Sequence, residues 1–282
     1  MFPTLHNTAF NTLGLPHTCE LHETSSVDPL VEVLQSPSFG GASVTSPYKR
    51  DVLPYLMHTS RQARIIGAIN TITPVTGGFA GDNTDWQAIK TCILRCVTPA
   101  NAVTASTAAL VIGAGSTARA TLYALYYIGV VNIFIYNRTK ANAQALADKF
   151  NKLDPLFRIR VLDSLVPPLP THPQPTMIIS TIPVASNSSS GPVDIDVGLR
   201  LEHFSSCGGV AVELTYQRRM TKLIALAERK RDQGWVSVEG IEFLLEQGYE
   251  QFMIFTGRSA PKVVREKVLE MYEWNLSGEL TR

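Results

Sequence analysis

The glycines of Gly113-x-Gly115-x-x-Ala118 have a spacing with a direct chemical meaning. The first permits a tight turn, the second brings bare backbone up to a pyrophosphate, and a small third residue lets helix and strand pack closely. Ala114 completes the turn, and Ser116, Thr117 and Arg119 then open a helix whose free N–H groups and positive dipole end would face phosphates. In an NAD site an Asp or Glu follows about twenty residues on, to hold the ribose hydroxyls. This chain has Asn137, Arg138, Thr139 and Lys140 there. Two cations and a hydroxyl suit a 2′-phosphate, so NADP is the expected dinucleotide. Elsewhere, Lys49 leaves a small-residue apolar segment at a position where α/β sheets place ligand-contacting groups. Asn70 and Asp85 lie toward the ends of similar segments, at 65–72 and 79–86. Taken singly, these three read equally well as a surface cation, a turn residue and a helix cap.

The elements that must position these residues follow from apolar periodicity. A buried strand at 109–112, a helix from Ser116 and a second strand at 130–136 make one βαβ unit. Beyond it the pattern predicts a helix at 141–150 and strands at 158–162, 177–183, 209–214 and 236–238. A proline-rich connection spans 165–175 and a flexible polar loop spans 186–191. Alternating charges mark a solvated helix at 221–233, and amphipathic helices close the chain at 241–255 and 261–274. Before residue 108 the expectations are a helix at 4–13, a short strand at 18–24 and a helix at 29–35. A strand running from Phe39 to Pro47 and a helix near 51–56 follow them.

Composition sets the class. The 282 residues, 45% hydrophobic and 17% charged, suit a globular α/β protein of two domains. No apolar run approaches the ~20 residues of a membrane span. A net charge of +1 gives no support for nucleic-acid binding. The start, Met-Phe-Pro-Thr-Leu-His, lacks the basic and apolar regions of a secretory signal, so the cytoplasm is the expected compartment. Cys19, Cys92, Cys96 and Cys207 form no metal-binding spacing and are read as reduced packing residues.

Seven segments taken together resemble the shikimate dehydrogenase family. They are Leu5-His6-Asn7, Val44-Thr45-x-Pro47-x-Lys49, Gly67-Ala68-x-Asn70-Thr71, Gly81-x-Asn83-Thr84-Asp85, the Gly113 loop with Arg119, Asn137-Arg138-Thr139, and Gly240 with Gln247. They occur in the family's order over nearly the whole chain, and the likeness is to the fungal branch, which includes the C-terminal part of the pentafunctional AROM polypeptide and the quinate repressor. The resemblance implies a substrate domain at 1–103, a Rossmann NADP domain at 104–239, and helices at 240–282 that cross back over the first domain. It also implies the NADPH-dependent, reversible reduction of 3-dehydroshikimate to shikimate, a step toward chorismate and the aromatic amino acids. Lys49 and Asp85 would be catalytic. Thr45, Asn70, Asp85, Tyr216 and Gln247 would bind substrate, and Thr181 and Gly240 would join the cofactor loop. The alternative that the resemblance carries is a non-catalytic sensor of the repressor type, binding a pathway ligand such as quinate and regulating transcription through partners. An NAD-dependent quinate enzyme fits Arg138 less well.

Departures from the family pattern are specific. Members carry a strand and then a Ser-x-Ser-Pro turn, whose hydroxyls hold the substrate carboxylate, ahead of the first helix. Here Phe2 stands in the second serine's place and the strand would lie upstream of Met1. The chain is therefore expected to be either a fragment of a larger polypeptide or a variant with an altered substrate site. Ser43, Ser46, Ser116, Glu213 and the Gln217-Arg218-Arg219 turn are smaller departures.

Overall fold

The structure is a computed structural model that describes residues 1–167, 173–183, 185–187, 191–193 and 195–280. It divides into two compact units, Met1–Ala88 with Leu245–Arg282, and Ile89–Leu244. Both divisions fall inside helices.

The first unit opens with α1 (Phe2–Thr12), α2 (Asp28–Leu34), β1 (Ala42–Ser43), β2 (His58–Thr59), α3 (Arg61–Ile66), β3 (Thr71–Val75) and β4 (Gly78–Asp82). Helix α4 (Asp85–Cys96) begins in this unit and continues into the next. The four strands form one sheet in the order β1-β3-β4-β2, with β1–β3 and β3–β4 antiparallel and β2–β4 parallel. Leu34, Val44, Val52, Ala63, Ile69 and Ile72 make its buried cluster. Helix α1 buries Leu5, His6, Ala9 and Phe10, a single helical face.

The second unit contains β5 (Ala108–Ile112), α5 (Ser116–Tyr127), β6 (Asn132–Tyr136), α6 (Lys140–Asn151), β7 (Arg158–Val161), β8 (Met177–Ser180), β9 (Ala185–Asn187), β10 (Gly191–Val193), β11 (Gly209–Glu213), α7 (Lys222–Glu228) and β12 (Trp235–Val238). Six of these strands form an all-parallel sheet, ordered β12-β11-β8-β5-β6-β7. Strands β5 and β6 read as unbroken apolar runs because helices cover both faces of such a sheet. Leu110, Ile112, Phe134, Ile178, Ala211, Leu223 and Trp235 share one core, and each large side chain among them contributes about 1.5–3 kcal/mol by leaving water. The order reverses at β5, whose neighbours are β6 and β8. In this Rossmann-like α/β arrangement, the crevice outside the carboxyl ends of those strands is where ligands bind. Helix α8 (Gly240–Thr256) starts in this unit and ends in the first, and α9 (Val263–Leu280) lies wholly in the first, packed on α1.

Several expectations are corrected. Residues 18–24 form no strand; the Asn7 carboxamide bonds Cys19 at both its N–H and C=O (2.7 and 2.9 Å), and the Tyr48 hydroxyl bonds the Thr24 carbonyl (2.7 Å). The strand expected from Phe39 to Pro47 contracts to Ala42–Ser43, and the helix at 51–56 is a 3₁₀ turn, Leu53–Tyr55. Ile65 and Ile66 close helix α3, which Ser60 caps through the Ala63 N–H (3.1 Å) and Gly67 ends at φ +71°. The polar loop at 186–191 is bounded by an antiparallel pair, β9 with β10. Residues 188–190, and 168–172 of the proline-rich connection, lie outside the described residues. The charged helix at 221–233 is α7 followed by a 3₁₀ turn at Arg231–Gln233. Cys207 is exposed rather than packed.

Candidate active site

In the first unit the Lys49 Nζ donates to Asp85 Oδ2 at 2.6 Å, and both residues are buried, at 6% and 0% exposure. Lys49 comes from the turn after β1; its own carbonyl accepts from the Ile69 N–H (2.6 Å), which ties that turn to the segment leading to Asn70. Asp85 is in the first turn of α4, where the helix dipole favours a carboxylate. Among the described residues the ammonium makes this one hydrogen bond, so two protons remain for an oxygen acceptor. An ion pair this deeply buried is costly to desolvate and persists only with further hydrogen bonds.

Asn70 supplies them. Its Nδ2 donates to Asp85 Oδ1 (2.8 Å) and Thr84 Oγ1 (2.9 Å), with a longer contact to Gln247 Oε1 (3.4 Å). Its Oδ1 accepts from the Thr84 N–H and the Thr71 hydroxyl, both at 2.8 Å. Thr84 also bonds the Gln247 carbonyl (3.2 Å). Gln251, one helical turn beyond Gln247, is wholly buried and donates from Nε2 to the Asn70 carbonyl (2.9 Å), Ser43 Oγ (3.0 Å) and Thr71 Oγ1 (3.1 Å). Nearby, Asn83 donates to the Ala68 carbonyl (2.9 Å), and Asp82 Oδ1 accepts from Ser60 Oγ (2.6 Å) and the Asn83 N–H (2.7 Å). The result is an ammonium–carboxylate pair held by carboxamides and hydroxyls, able to give a proton to an oxygen and recover it.

His6 lies behind Gln251 in an aromatic cluster with Phe2, Phe10, Phe252 and Phe255, at centroid distances of 5.6–6.3 Å. Burial pushes its imidazole down to about 4, with the Gln251 carboxamide pulling the other way. Neither ring nitrogen has a partner within hydrogen-bonding geometry. The ring therefore stays neutral near pH 7.

In the second unit Gly113 has φ +114°, and a Cβ there would stand 2.2 Å from Thr181 Oγ1. The strand ends are stitched together by Gly113 N–H to the Tyr136 carbonyl (2.8 Å), and by Thr181 N–H (2.8 Å) and Oγ1 (2.9 Å) to the Ile112 carbonyl. Gly115, by contrast, faces open space and is the N-cap of α5, which has no side-chain cap. Its first-turn amides thus fit a phosphate group, the chemistry a dinucleotide requires. Arg138 is exposed and has no ion-pair partner among the described residues, whereas Lys140 pairs with Asp163. Asn137 Nδ2 bonds the Thr139 carbonyl (2.9 Å) and shapes that turn. A Cβ at Gly240 would stand 2.0 Å from the Thr215 carbonyl, so that glycine lets α8 start against the backbone beside Tyr216.

Of the residues expected from sequence, the structure joins Lys49, Asn70, Asp85 and Gln247 in one network. Thr45 is exposed, with its carbonyl accepting from the Tyr48 N–H (3.1 Å). Tyr216 belongs to the other unit, where burial raises its phenol above the usual range. Thr71, Thr84 and Gln251 were not expected as parts of the site. The Gln247-x-x-x-Gln251 spacing was the available signal, since residues four apart share a helix face.

Two family models match the chain: "Shikimate dehydrogenase substrate binding domain" over residues 1–72 and "Shikimate / quinate 5-dehydrogenase" over residues 99–165. The chain is 37% identical to the quinate repressor protein of Emericella nidulans, covering 98% of this chain and 34% of that protein. It is 42% identical to the pentafunctional AROM polypeptide of Malassezia globosa over 92% of this chain and 16% of that one. It therefore spans about a third or less of the length of these curated relatives. Among solved structures it is similar to the shikimate 5-dehydrogenase of Thermus thermophilus in complex with NADP(H) and shikimate. That match has 26% identity and a TM-score of 0.76, covering 96% of this chain and 94% of the other. With both family models in sequence order and a matching α/β fold, the chain belongs to the shikimate dehydrogenase family.

Proposed function

We propose that this chain is an NADP-dependent shikimate dehydrogenase, interconverting 3-dehydroshikimate and shikimate. The observation that carries the reading is the buried Lys49–Asp85 pair with Asn70 on the second carboxylate oxygen. NADPH, when bound, supplies the hydride for the substrate carbonyl carbon. Lys49 gives a proton to the carbonyl oxygen and, as an ammonium, stabilises the negative charge that develops there. Asp85 keeps the ammonium aimed, and Asn70 keeps Asp85 aimed. In the reverse direction Lys49 as the amine takes the hydroxyl proton. The α5 amides at Gly115–Thr117 would receive the pyrophosphate and Arg138 the 2′-phosphate. Thr45, Gln247 and Tyr216 are proposed substrate contacts.

The second reading, a ligand sensor, rests on the strong likeness to proteins named as quinate repressors and on Phe2 in the first turn of α1. Incubating the 282-residue chain with shikimate or quinate and NADP+ or NAD+, and following reduced nicotinamide by absorbance, separates the two. The dehydrogenase reading predicts turnover that is fastest with shikimate and NADP+. Tight calorimetric binding of shikimate or quinate without turnover would establish the sensor instead.

A further inference from the structure

Gln251 touches neither Lys49 nor Asp85, yet it sets the side chain that does touch Asp85. The carboxamide end facing Asn70 must be Nε2, because the Asn70 carbonyl can only accept. Thr71 Oγ1, accepting from the same nitrogen, is left with its own proton for Asn70 Oδ1. The Thr84 N–H, which can only donate, meets the same oxygen. Asn70 Oδ1 is thus pinned by two donors, and Nδ2 is forced toward Asp85 Oδ1. The other end of Gln251 meets only the neutral His6 ring. Its Oε1 is buried toward the His6 ring, with no partner there in hydrogen-bonding geometry. An apolar side chain of the same shape would avoid that orphaned oxygen, so the carboxamide is kept for its donor end.

From this relay we propose that Gln251 is a positioning residue for the Lys49–Asp85 pair, acting through the Thr71 hydroxyl and the Asn70 carboxamide. The proposal rests on the dehydrogenase reading for its kinetic consequence, but not for its structural one. Gln251→Met removes the donor while conserving shape, and Thr71→Val removes the next link. Each variant is expected to lower kcat for shikimate oxidation roughly 10- to 100-fold, the scale of a misplaced catalytic group. The dissociation constant for NADP+ should stay within about twofold of the parent. The Gln251→Met/Thr71→Val double variant should be no slower than the worse single variant, because both break one relay. Losses that multiply in the double variant, or kcat within about twofold of the parent in both single variants, would overturn the proposal.

Should the parent chain not turn over shikimate at all, the dehydrogenase reading fails by itself. The relay is then read from the Asn70 side-chain amide resonances, assigned by their loss in Asn70→Asp. The proposal expects both single variants to move those resonances. Unshifted resonances in folded Gln251→Met and Thr71→Val proteins would refute it. Thr71→Val, a smaller change, keeps the test available if Gln251→Met does not fold.

Discussion

A lysine ammonium 2.6 Å from an aspartate carboxylate, both buried, is an arrangement that protein stability alone rarely favours. Asp85→Asn would leave the buried ammonium uncompensated, and breaking a buried pair from one side typically costs about 3–5 kcal/mol. Urea unfolding of Asp85→Asn is therefore expected to show a loss of that order, together with loss of turnover. His6 makes a second residue-level prediction. Its folded value of about 4 lies below the ordinary 6.5, so the unfolded chain takes up the proton first as pH falls. The stability it contributes is whole above pH 6.5, declines between 6.5 and 4, and is gone below 4, a difference of about 3 kcal/mol. Unfolding free energies at pH 7, 5 and 4 for the parent and His6→Leu should show this slope in the parent and its absence in the variant. Arg138 is the residue expected to choose the cofactor. NADP+ should raise the melting temperature more than NAD+, and Arg138→Ala should make the two equal.

At the scale of elements, the two glycines of the β5–α5 turn do different work. Gly113→Ala puts a Cβ against Thr181 Oγ1 at positive φ, and is expected to destabilise by roughly 1–3 kcal/mol. Gly115→Ala meets nothing, so its melting temperature should match the parent while NADP+ affinity falls, because the methyl fills the space a phosphate must enter. Calorimetry with melting curves on both variants checks the contrast. This βαβ stretch was legible in the sequence because apolar runs, glycines and helix period agree within one short segment. The first unit was less so. Its β1 and β2 have two residues each, too short to show a period, and residues 18–24 alternate like a strand while being held by Asn7 and Tyr48 side chains instead. The Lys49, Asn70 and Asp85 set was visible only through its likeness to a family. The parts played by Thr71, present in that likeness only as the neighbour of Asn70, and by Gln251 depend on which hydrogen-bond end faces which, a fact of folded geometry.

Over the whole molecule, the Lys49–Asp85 network lies in one unit and the Gly113–Gly115 turn in the other. No helix among the described residues is long and apolar enough to cross a membrane. In the longer relatives the matching region makes up 34% and 16% of the polypeptide. A ligand that binds only the folded chain stabilises it by mass action, about 2.7 kcal/mol at a hundredfold excess over its dissociation constant. NADP+ should accordingly protect the parent and the Lys49→Ala variant equally, because Lys49 belongs to the first unit and the phosphate-binding turn to the second. That equality is the control for the most direct measurement: steady-state NADP+ reduction by shikimate with the parent and with Lys49→Ala. The account predicts turnover by the parent and a loss of at least about a hundredfold in the variant with NADP+ affinity retained. Equal rates in the two proteins would contradict it.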